Sequence, residues 1–473
     1  MHLPKEVEDI LNKFQKAGFQ IYIVGGAVRD ILMGKEVNDW DFTTDAKPEE
    51  ILKIIPEGFY DNKFGTVGIP TKNTSGVGFD SPEVEVFEVT TMRKEGDYKD
   101  FRHPAQVGWT DKIEEDLARR DFTINAIALG IESRVKSQES RKINSLTLDS
   151  SDLTLIDPYH GEKDIHDKII RTVGNPNDRF KEDALRLIRA IRIATQLKFE
   201  IEIKTFEAIK ENAGLIEEIA KERVRNELFK ILSAENPLEG INKLREAGIL
   251  QIILPELERC FGIVQQGPKH DRVYDIGEHS LMTLQHTPSK NSLVRLAALL
   301  HDIGKVQTVK TESDGNVTFY NHDVYGGRLV LQIAQRFNLS KKQTDKLYKL
   351  VRWHLFTVDE NQTDSAIRRF INNVGLENIE DMMAVRIGDR LGGGTQRAVS
   401  WRMEKFNERI KQVLQKPFSI SDLKVNGNDI MEVLNIKSGP KIGEILQKLF
   451  EEVLENAEKN NKDYLLNRIK ELA

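Results

Sequence analysis

The sequence predicts an α+β protein in which a mixed β-sheet near the N-terminus is followed by an entirely helical chain. The first observation is a set of short apolar, β-branched runs at residues 21–24, 37–43, 65–70 and 84–91, which is typical of strands. The second is that short amphipathic segments with helical spacing lie between these strands. The third is that, from residue 236 onward, only helical periodicity recurs.

The composition limits the classes of protein to which the chain can belong. Of its 473 residues, 39% are hydrophobic and 30% are charged, which predicts a globular protein of about three domains. No apolar run approaches the ~20 residues of a membrane-spanning helix, so no membrane partner is expected. The net charge of −6 argues against a general nucleic-acid coat protein but permits a local basic groove. The single cysteine, Cys260, indicates a reducing, cytoplasmic location.

A predicted strand–turn–helix unit begins the most informative stretch of the chain. The strand is residues 21–24, the turn is Gly25-Gly26, and the helix is residues 28–33. Two glycines before a helix expose backbone N–H groups and leave room for a phosphate to approach. Arg29 adds a fixed cation to this predicted phosphate site.

Two acidic residues follow in the strand predicted over residues 37–43. Asp39 and Asp41 leave that strand on one face, whereas Trp40 and Phe42 leave on the other. Neighbouring carboxylates repel each other unless a cation lies between them, and Mg²⁺ binds carboxylate and phosphate oxygens. A Gly-Gly turn or an Asp-x-Asp pair alone usually marks a surface corner. The two together, at this spacing, predict a Mg²⁺-dependent phosphate site.

The rest of the N-terminal part adds further candidates. Glu88, in the last predicted strand, is a candidate third carboxylate, although a solvent-facing Glu is the ordinary interpretation. The other predicted elements are a helix over 48–55, a mobile charged loop over 92–104, a helix over 113–130 and an inserted hairpin or loop over 131–151. Arg119, Arg120 and Asp121 can bind a triphosphate and a ribose hydroxyl, or can simply be the charged start of a helix.

A long amphipathic helix is predicted over residues 179–198. Asp183 and Arg186 share one face, which Arg189 and Arg192 continue. Such an Asp–Arg pair is usually a surface contact worth little. The alternative is base recognition, because cytosine and adenine both present an amino donor beside a ring-nitrogen acceptor. An Asp accepts from the first and an Arg donates to the second, whereas guanine and uracil leave both side chains wrongly paired.

The helical half contains an ordered series of histidines and aspartates. The candidate metal ligands are His279, His301, Asp302 and Asp389, with His322 and His354 as additional candidates. Imidazoles combined with carboxylates suit divalent ions such as Mn, Ni or Fe. A lone histidine is usually structural, but a His-Asp pair that ends an apolar helix, with partners in order, is more specific.

Several of these stretches resemble known families. Residues 21–44 carry Gly-Gly-x-Val-Arg-Asp and then Asp-x-Asp, and they resemble the signature of class II tRNA nucleotidyltransferases and bacterial poly(A) polymerases. Residues 119–126 and 222–228 match further motifs of that family. The histidine series resembles the HD-domain metal phosphohydrolases. The resemblance implies a polymerase-beta-like nucleotidyltransferase head at 1–155, a base-recognising neck at 156–235, a helical connector at 236–275, an HD domain at 276–395 and a tRNA-binding helical tail at 396–473.

The resemblance also implies an activity: template-independent addition of CCA to the 3′ end of tRNA from CTP and ATP. The tRNA acceptor stem and elbow are then the bound partner, and Asp39 and Asp41 are the catalytic residues that hold Mg²⁺. The implied nucleotide-binding residues are Gly25, Gly26, Arg29, Arg120, Asp121, Asp183, Arg186, Arg189 and Arg192. The HD site implies a divalent transition metal and a second, metal-dependent phosphohydrolase activity on esters such as 2′,3′-cyclic phosphates.

Alternatives within and outside this family stay open. A poly(A) polymerase, or a tRNA nucleotidyltransferase that adds only A, carries the same signature. An HD phosphohydrolase whose head merely binds RNA, or a non-catalytic tRNA-binding protein, belongs to a different class, and the complete Asp-x-Asp disfavours both. The sequence gives no indication of the oligomeric state.

Overall fold

The computed structural model describes residues 3–60, 65–70, 86–96, 107–131, 140–142, 153–265, 275–313, 317–356, 362–395, 397–414 and 420–472. The chain divides into two compact units, Met1–Ile231 with Glu239–Ile253 and Leu232–Leu238 with Leu254–Ala473. The five-part division predicted from the sequence is finer than these two units and stays a prediction. Within the described residues, no helix combines the length and the apolar character that crossing a membrane requires.

The first unit contains a mixed eight-stranded sheet. The strands up to residue 201 are β1 (Ile21–Val24), β2 (Asp41–Thr44), β3 (Phe59–Tyr60), β4 (Thr66–Pro70), β5 (Val86–Thr91), β6 (Arg93–Glu95), β7 (Val107–Trp109), β8 (Ala128–Ile131), β9 (Ser140–Lys142), β10 (Leu153–Ile156), β11 (Ile169–Ile170) and β12 (Glu200–Ile201). The sheet has the order β3-β4-β5-β2-β1-β8-β10-β9. Its β2–β5 pair is parallel and its other neighbouring pairs are antiparallel, which confirms the predicted α+β fold.

The strand β1 lies at the centre of this sheet. It pairs with β2 on one side and with β8 on the other, and all four of its residues are buried. This environment explains its continuous apolar run, because a strand covered on both faces has no solvent side. The last residue of β1, Val24, is paired with Asp41, so the chain turns into its first glycine beside the start of β2.

The helices of this part of the chain cover the sheet and extend beyond it. They are α1 (Lys5–Lys16), α2 (Gly26–Leu32), α3 (Pro48–Ile54), α4 (Ile113–Ala118), α5 (Gly161–Asp167), α6 (Pro176–Glu182), α7 (Leu185–Leu197), α8 (Ile203–Asn212), α9 (Lys221–Leu232), α10 (Pro237–Glu246) and α11 (Leu250–Ile253). Short 3₁₀ helices lie at Thr123–Asn125 and Ala213–Glu218.

The single helix predicted over residues 113–130 is wrong. The helix α4 ends at Ala118, and the chain then forms the 3₁₀ turn and the strand β8. The run Ala128–Ile131 pairs with β1 and β10 in the buried middle of the sheet. A short apolar run of this kind has the same appearance in a buried strand as in a buried helix, so periodicity could not separate them.

The strand predicted over residues 37–43 is shorter than expected, because β2 begins only at Asp41. Asp39 is therefore in the segment that leads into the strand. The side chains still point as predicted, since Asp39 is exposed whereas Trp40 and Phe42 are buried. Thr43 is buried as well, so the strand has no solvent face beyond its first residue.

The continuous helix predicted over residues 179–198 is also wrong. It is interrupted at Asp183, whose backbone is extended with φ −137° and ψ 103°. The Asp183 carboxylate accepts a hydrogen bond of 3.0 Å from the backbone N–H of Leu185, in the first turn of α7. Aspartate competes in this way for backbone donors, which favours a break rather than a helix interior.

Two predicted loops are partly strands. Within residues 92–104, Arg93–Glu95 pairs with Val107–Trp109 as β6 and β7, and residues 97–106 lie outside the described part. Within residues 131–151, Ser140–Lys142 forms the edge strand β9 beside β10. The remaining residues of that predicted hairpin, apart from Ile131 in β8, are also outside the described part.

The second unit is almost entirely helical. Its helices are α12 (Pro255–Glu258), α13 (Ile276–His286), α14 (Ser292–Leu300), α15 (Lys305–Thr308), α16 (His322–Arg336), α17 (Lys341–Arg352), α18 (Asp364–Val374), α19 (Ile379–Gly392), α20 (Trp401–Val413), α21 (Gly427–Leu434), α22 (Pro440–Glu455) and α23 (Lys462–Leu472). The prediction of helix alone after residue 236 misses one short hairpin, β13 (Lys310–Thr311) with β14 (Val317–Thr318).

Close packing of α13 against α19 brings distant parts of this unit together. A Cβ atom added at Gly392 of α19 would lie 2.6 Å from the backbone N of Thr283 in α13, so only glycine permits this approach. The helix α14 packs against both and is buried along Leu293–Leu300. Cys260 is buried in this unit, where burial raises the pKa of its thiol to about 12. The predicted cytoplasmic location stays a prediction.

Candidate active site and metal centre

Asp41 and Glu88 are adjacent in the sheet of the first unit. Asp41 is the first residue of β2, and its partner in the parallel strand β5 is Glu88. Both line a cavity of about 420 Å³, which we call the head cavity. The strand register therefore places the candidate third carboxylate beside Asp41.

The carboxylates of Asp39 and Asp41 interact. Burial, and then the negative charge of Asp39, raise the pKa of Asp41 to about 6. The guanidiniums of Arg120 and Arg189 act in the opposite direction and do not cancel this rise. A carboxyl group in this position favours a further cation, and oxygen ligands of this kind suit Mg²⁺.

Gly25 allows the backbone to approach this carboxylate. Its φ is +71°, in the region that L-residues with side chains rarely adopt. A Cβ atom at this position would lie 3.2 Å from Asp41 Oδ2 and 3.3 Å from Arg120 Nη1. The glycine is thus required twice, once for the turn from β1 into α2 and once for the space beside Asp41.

Gly25→Ala is expected to reduce both stability and activity. The backbone at Gly25, with φ +71° and ψ −137°, lies near the region that is essentially restricted to glycine, which costs a residue with a Cβ atom about 1–3 kcal/mol, and the methyl group also crowds Asp41. Gly34→Ala is the matched control, because Gly34 has φ +66° and nothing within 4 Å of its added Cβ. We expect thermal unfolding to show a loss of stability in both variants that is larger in Gly25→Ala, and the nucleotide incorporation implied by the sequence resemblance to fall in Gly25→Ala alone. Equal activity of the two variants would contradict the close approach.

The head cavity is lined by cations. Besides Asp41, Glu88, Asp121 and Asp183, its charged residues are Arg93, Arg119, Arg120, Arg186 and Arg189. Asp116, which is fully buried, orients two of them, since it contacts Arg119 at 2.8 Å and Arg120 at 3.3 Å. Although burial would raise the pKa of Asp116, the two guanidiniums lower it. Asp116 was not predicted as a site residue from the sequence, although the arginines three and four positions later could have indicated its role.

Arg189 is held by Asp121. Its Nε and Nη2 atoms donate to Asp121 Oδ2 at 2.9 and 2.6 Å. Burial would raise the pKa of Asp121, but Arg189 lowers it well below its usual range. The carboxylate is therefore ionised and fixes a guanidinium at the wall of the cavity. Both residues were predicted as nucleotide-binding, and the structure brings them to the same cavity.

Asp183 and Arg186 line the head cavity but do not pair with each other. Arg186 donates to Glu182 at 2.6 Å and to the backbone oxygen of Arg119 at 2.9 Å. Asp183 forms an ion pair of 3.2 Å with Arg223 of α9. The sequence did not predict Glu182 or Arg223 as partners, because the break in the helix moves Asp183 off the face that was assumed.

Two other predicted nucleotide-binding side chains are outside the set that lines the head cavity. Arg29 donates to Asn125 at 2.9 Å and forms an ion pair with Asp30. Arg192 forms an ion pair of 2.7 Å with Glu227 of α9. In this structure, both arginines therefore connect parts of the first unit.

The second unit contains a cluster of six side chains, of which all but Asp389 are buried. We call it the histidine–aspartate cluster; its members are His279, His301, Asp302, His322, His354 and Asp389. The Asp302 Oδ2 atom lies 3.5 Å from His279 Nε2 and 3.1 Å from His301 Nε2. The Asp389 Oδ1 atom lies 3.2 and 3.7 Å from the same two nitrogens.

The other oxygen of Asp302 faces a different pair of histidines. Its Oδ1 atom lies 3.2 Å from His322 Nε2 and 3.6 Å from His354 Nε2. Two ligand atoms that share a metal ion at about 2.1 Å are separated by roughly 3.0–3.5 Å. The distances on both sides of Asp302 fit that separation, so the carboxylate has one histidine pair at each oxygen.

Backbone contacts favour one ring tautomer in three of these histidines. The Nδ1 atoms of His301, His322 and His354 lie 2.7–2.8 Å from backbone carbonyl oxygens of residues three positions earlier. A carbonyl oxygen only accepts, so each Nδ1 carries a proton, and in the neutral imidazole each Nε2 then has a free lone pair. These Nε2 atoms are buried and lack a hydrogen-bond partner among the described residues. Lone pairs that face carboxylate oxygens in a buried site suit a bound cation.

The acids of the cluster are ionised. Burial alone would raise the pKa of Asp302, but His301 and Lys305 lower it well below its usual range. Asp389 behaves in the same way, since burial raises its pKa but the hydrogen bond with His279 and the charges of His301 and His279 together lower it. Lys305 Nζ contacts Asp302 Oδ2 at 2.6 Å. The cluster therefore offers charged oxygens beside imidazole Nε2 atoms, the ligand types that divalent transition metals bind.

Comparisons with known proteins agree with both halves of the chain. Family models match residues 21–137 ("Poly A polymerase head domain"), 198–261 ("Probable RNA and SrmB-binding site of polymerase A") and 330–469 (tRNA nucleotidyltransferase domain 2). A CCA-adding enzyme of Pediococcus pentosaceus is 30% identical over 473 residues, which cover 99% of this chain and 99% of that protein. The chain belongs to the CCA-adding enzyme family.

Further members of the CCA-adding enzyme family show the same likeness. The enzyme of Ligilactobacillus salivarius is 30% identical, with 99% of this chain and 96% of that protein covered. A crystal structure of the Bacillus stearothermophilus CCA-adding enzyme in complex with CTP has a TM-score of 0.69 at 25% identity and covers 99% of this chain and 96% of the other. The Thermotoga maritima CCA-adding enzyme complexed with tRNA has a TM-score of 0.54 at 20% identity, covers 99% and 96% of the two chains, and shows the shared fold.

Proposed function

We propose that this protein adds CMP, CMP and AMP to the 3′ end of tRNA, with CTP and ATP as substrates. The observation that carries the proposal is the head cavity, in which Asp41 and Glu88 face a group of arginines in a chain that matches CCA-adding enzymes over 99% of its length. The carboxylates provide a cation site, and the guanidiniums provide a triphosphate site.

Asp39 and Asp41, with Glu88 beside them, are proposed to hold Mg²⁺. Their donor chemistry fits, because all three groups offer oxygen and because burial and the charge of Asp39 raise the pKa of Asp41, an effect that a bound cation would oppose. When bound, Mg²⁺ supplies charge neutralisation of the triphosphate and lowers the pKa of the attacking hydroxyl. The protein contributes the positions of the reacting groups, which supply much of the rate in phosphoryl-type transfer.

Arg119 and Arg120 are proposed to bind the triphosphate, since Asp116 holds both at the cavity wall. The 3′-oxygen of tRNA then forms a bond to the α-phosphorus, the bond between that phosphorus and the bridging oxygen breaks, and pyrophosphate leaves. The hydroxyl proton passes to solvent. Fixed guanidiniums stabilise the charge that develops on the leaving group without reorganising during the reaction.

Asp183 and Arg186 are proposed to select cytosine and adenine. Arg186 retains donors beyond those used by Glu182 and the backbone, and Asp183 keeps an accepting oxygen beside Arg223. We expect Asp183→Ala to reduce the preference for CTP and ATP over UTP and GTP by about 10- to 100-fold, because the base amino group loses its acceptor. Values of kcat/KM for the four nucleotides measure this, and Asp178→Ala, an exposed aspartate of α6, is the control.

The activity itself is tested with defined tRNA ends. Purified protein receives Mg²⁺, single nucleotides, and tRNA that lacks CCA, ends in CC or ends in CCA. We expect CMP to be added to the first substrate, one AMP to the second, and nothing to the third. Runs of A on arbitrary RNA would indicate a poly(A) polymerase instead, and A-only addition would indicate the narrower tRNA nucleotidyltransferase.

A second candidate function belongs to the second unit. We propose that the histidine–aspartate cluster would hold two divalent transition-metal ions, to which the two oxygens of Asp302 and the histidine pair at each of them would contribute ligands, and that it hydrolyses phosphate esters. The supporting observation is that each Asp302 oxygen faces its own histidine pair while the Nε2 atoms of three histidines are buried without hydrogen-bond partners among the described residues. When bound, such ions supply electrostatic stabilisation of the phosphoryl oxygens and a water nucleophile.

A further inference from the structure

We infer that Asn125 is a positioning residue for the nucleotide that the head cavity binds. Its side-chain amide joins Arg29 of α2 to Asp121, and Asp121 in turn holds Arg189 at the cavity wall. Asp121 and Arg189 line the cavity, whereas Asn125 and Arg29 are outside the set that lines it. The inference rests on the proposed nucleotidyl transfer and adds to it a residue that was not predicted from the sequence as a site residue.

A continuous series of hydrogen bonds passes through the Asn125 amide. Asp30 accepts from Nε and Nη2 of Arg29 at 2.9 and 3.0 Å. Arg29 Nη1 donates to Asn125 Oδ1 at 2.9 Å, and Asn125 Nδ2 donates to Asp121 Oδ1 at 3.3 Å. The other oxygen of Asp121 accepts from Arg189. We call these five residues the amide bridge, because one neutral amide connects two charged pairs.

The neighbours of Asn125 determine how its amide is oriented. A guanidinium only donates and a carboxylate only accepts, so the amide oxygen must face Arg29 and the amide nitrogen must face Asp121. The reverse orientation would place two donors together and two acceptors together. Asn125 is 8% exposed, so loss of the amide would leave charged groups on both sides of it without a partner in a poorly solvated place.

Both ends of the amide bridge are held by close backbone packing. Asn125 ends the buried 3₁₀ turn, in which the Thr123 hydroxyl donates to Asp164 Oδ2 of α5 at 2.7 Å. A Cβ atom at Gly161 of α5 would lie 2.2 Å from the Thr123 carbonyl oxygen, so only glycine permits this contact. At the other end, a Cβ atom at Gly26 would lie 3.3 Å from the Nη2 atom of Arg29. The amide bridge therefore connects the Gly-Gly turn with a turn that α5 holds in place.

Asn125→Leu removes the polar amide at nearly constant volume. We expect kcat/KM for CTP and for ATP to fall by about 10- to 100-fold, because Arg189 is no longer held in position. Calorimetric titration with CTP in the absence of tRNA should show weaker binding as well. Asn212→Leu is the matched control, since Asn212 of α8 is also 8% exposed and donates to Asn177, outside the set that lines the cavity. That variant should keep CTP binding and incorporation.

Asn125→Asp separates the polarity of the amide from its packing. The ionised side chain still accepts from Arg29 but repels Asp121, whereas the protonated form donates to Asp121 as the amide does. Incorporation by Asn125→Asp relative to wild type should therefore rise as the pH is lowered from 8 to 6. The charged groups around this position are Arg29 of α2, Asp121 with its partner Arg189 of α7, and Asp164 of α5.

A double-mutant cycle tests whether Arg29 acts through Asn125. If it does, Arg29→Met combined with Asn125→Leu should lower kcat/KM for CTP no further than the more damaging of the two single substitutions. Additive losses would overturn this link, because they would show that Arg29 contributes separately from the amide.

The amide bridge and the proposed function fail separately. Wild-type protein that binds CTP but adds nothing to tRNA would overturn the nucleotidyl transfer, and weaker CTP binding by Asn125→Leu would still support the amide bridge. Unchanged CTP binding and incorporation by Asn125→Leu would overturn the amide bridge. A loss in Asn125→Asp that is the same at every pH would overturn the role of amide polarity, and wild-type protein that binds no CTP would overturn both proposals.

Discussion

Asp41→Asn is expected to reduce the rate of CMP and AMP addition by about 10²–10³-fold, the usual cost of losing one group that stabilises transition-state charge. The amide keeps the shape of the side chain beside Gly25 but removes the negative charge that the proposed Mg²⁺ site needs. Single-turnover incorporation into tRNA lacking CCA measures the chemical step, and filter binding of tRNA measures whether the substrate is still bound. We expect binding to be retained, because the substitution removes a charge from the cavity without opening a gap.

The same substitution has a stability effect whose sign follows from the pKa of Asp41. That pKa is about 6 in the folded, metal-free protein, above its ordinary value of 3.8. Between these two pH values the folded state holds a proton that the unfolded state has lost, so the contribution of Asp41 to stability falls as the pH rises from about 4 to about 6. In EDTA, Asp41→Asn should therefore be more stable than wild type at pH 8, with the difference vanishing near pH 4.

Mg²⁺ should reverse this order at pH 8, because ligand binding to the folded state stabilises it. We expect the wild-type unfolding temperature to rise with Mg²⁺ and that of Asp41→Asn to change little. Asp111→Asn is the control, since Asp111 is an exposed aspartate of the same unit. Two results would show that Asp41 is not a catalytic residue. One is full nucleotide incorporation by Asp41→Asn, and the other is an equal rise of the unfolding temperature with Mg²⁺ in wild type and Asp41→Asn.

The sequence predicted the centre of the sheet well because the local signals there are unambiguous. The run at Ile21–Val24 and the following glycine pair have a single physical interpretation, a buried strand that turns sharply. Of the predicted Asp pair, Asp41 is also supported by the geometry, because its side chain lies beside Gly25. From the sequence, Glu88 was only a candidate third carboxylate, because its pairing with Asp41 depends on the register of a parallel strand that is distant in the chain.

The two helix predictions that were wrong have one cause. Amphipathic periodicity predicts a helix wherever apolar residues recur, but it carries no information about a competing side-chain hydrogen bond or a neighbouring strand. At Asp183 the side chain bonds to the backbone of α7 and ends α6. At Ala128–Ile131 the strands on both sides supply the backbone partners. Both deviations lie at the head cavity or next to it, so the local rule fails where the site is built.

Asp302→Asn is expected to remove transition-metal binding from the second unit almost completely. The carboxylate has one oxygen facing His279 and His301 and the other facing His322 and His354, so the amide disrupts both ligand sets at once. Substitution of a residue that only supports the metal ligands typically lowers metal affinity by about 10–100-fold. Loss of a ligand that two ions share should lower the affinity at least as much. Elemental analysis after incubation with Mn²⁺ and gel filtration counts the bound ions, and CCA addition should be unchanged.

The separate histidine pairs make the two-ion arrangement distinguishable from a single site. His322→Ala removes a ligand from one Asp302 oxygen only, so we expect one ion to be lost and one retained. His279→Ala acts on the other oxygen and on the contact with Asp389, so we expect the complementary ion to be lost. His286→Ala is the control, because His286 is an exposed histidine at the end of the same helix, α13.

A single-ion site would give a different pattern from these variants. Wild type would then bind one ion per chain, and His279→Ala or His322→Ala would abolish binding rather than halve it. Retention of both ions by Asp302→Asn would show that the carboxylate does not bridge them. The geometry favours the two-ion result, because a single ion at Asp302 Oδ2 leaves the buried Nε2 atoms of His322 and His354 facing Asp302 Oδ1 without a cation. Such unpaired buried groups are costly, and a second ion is the simplest way to satisfy them.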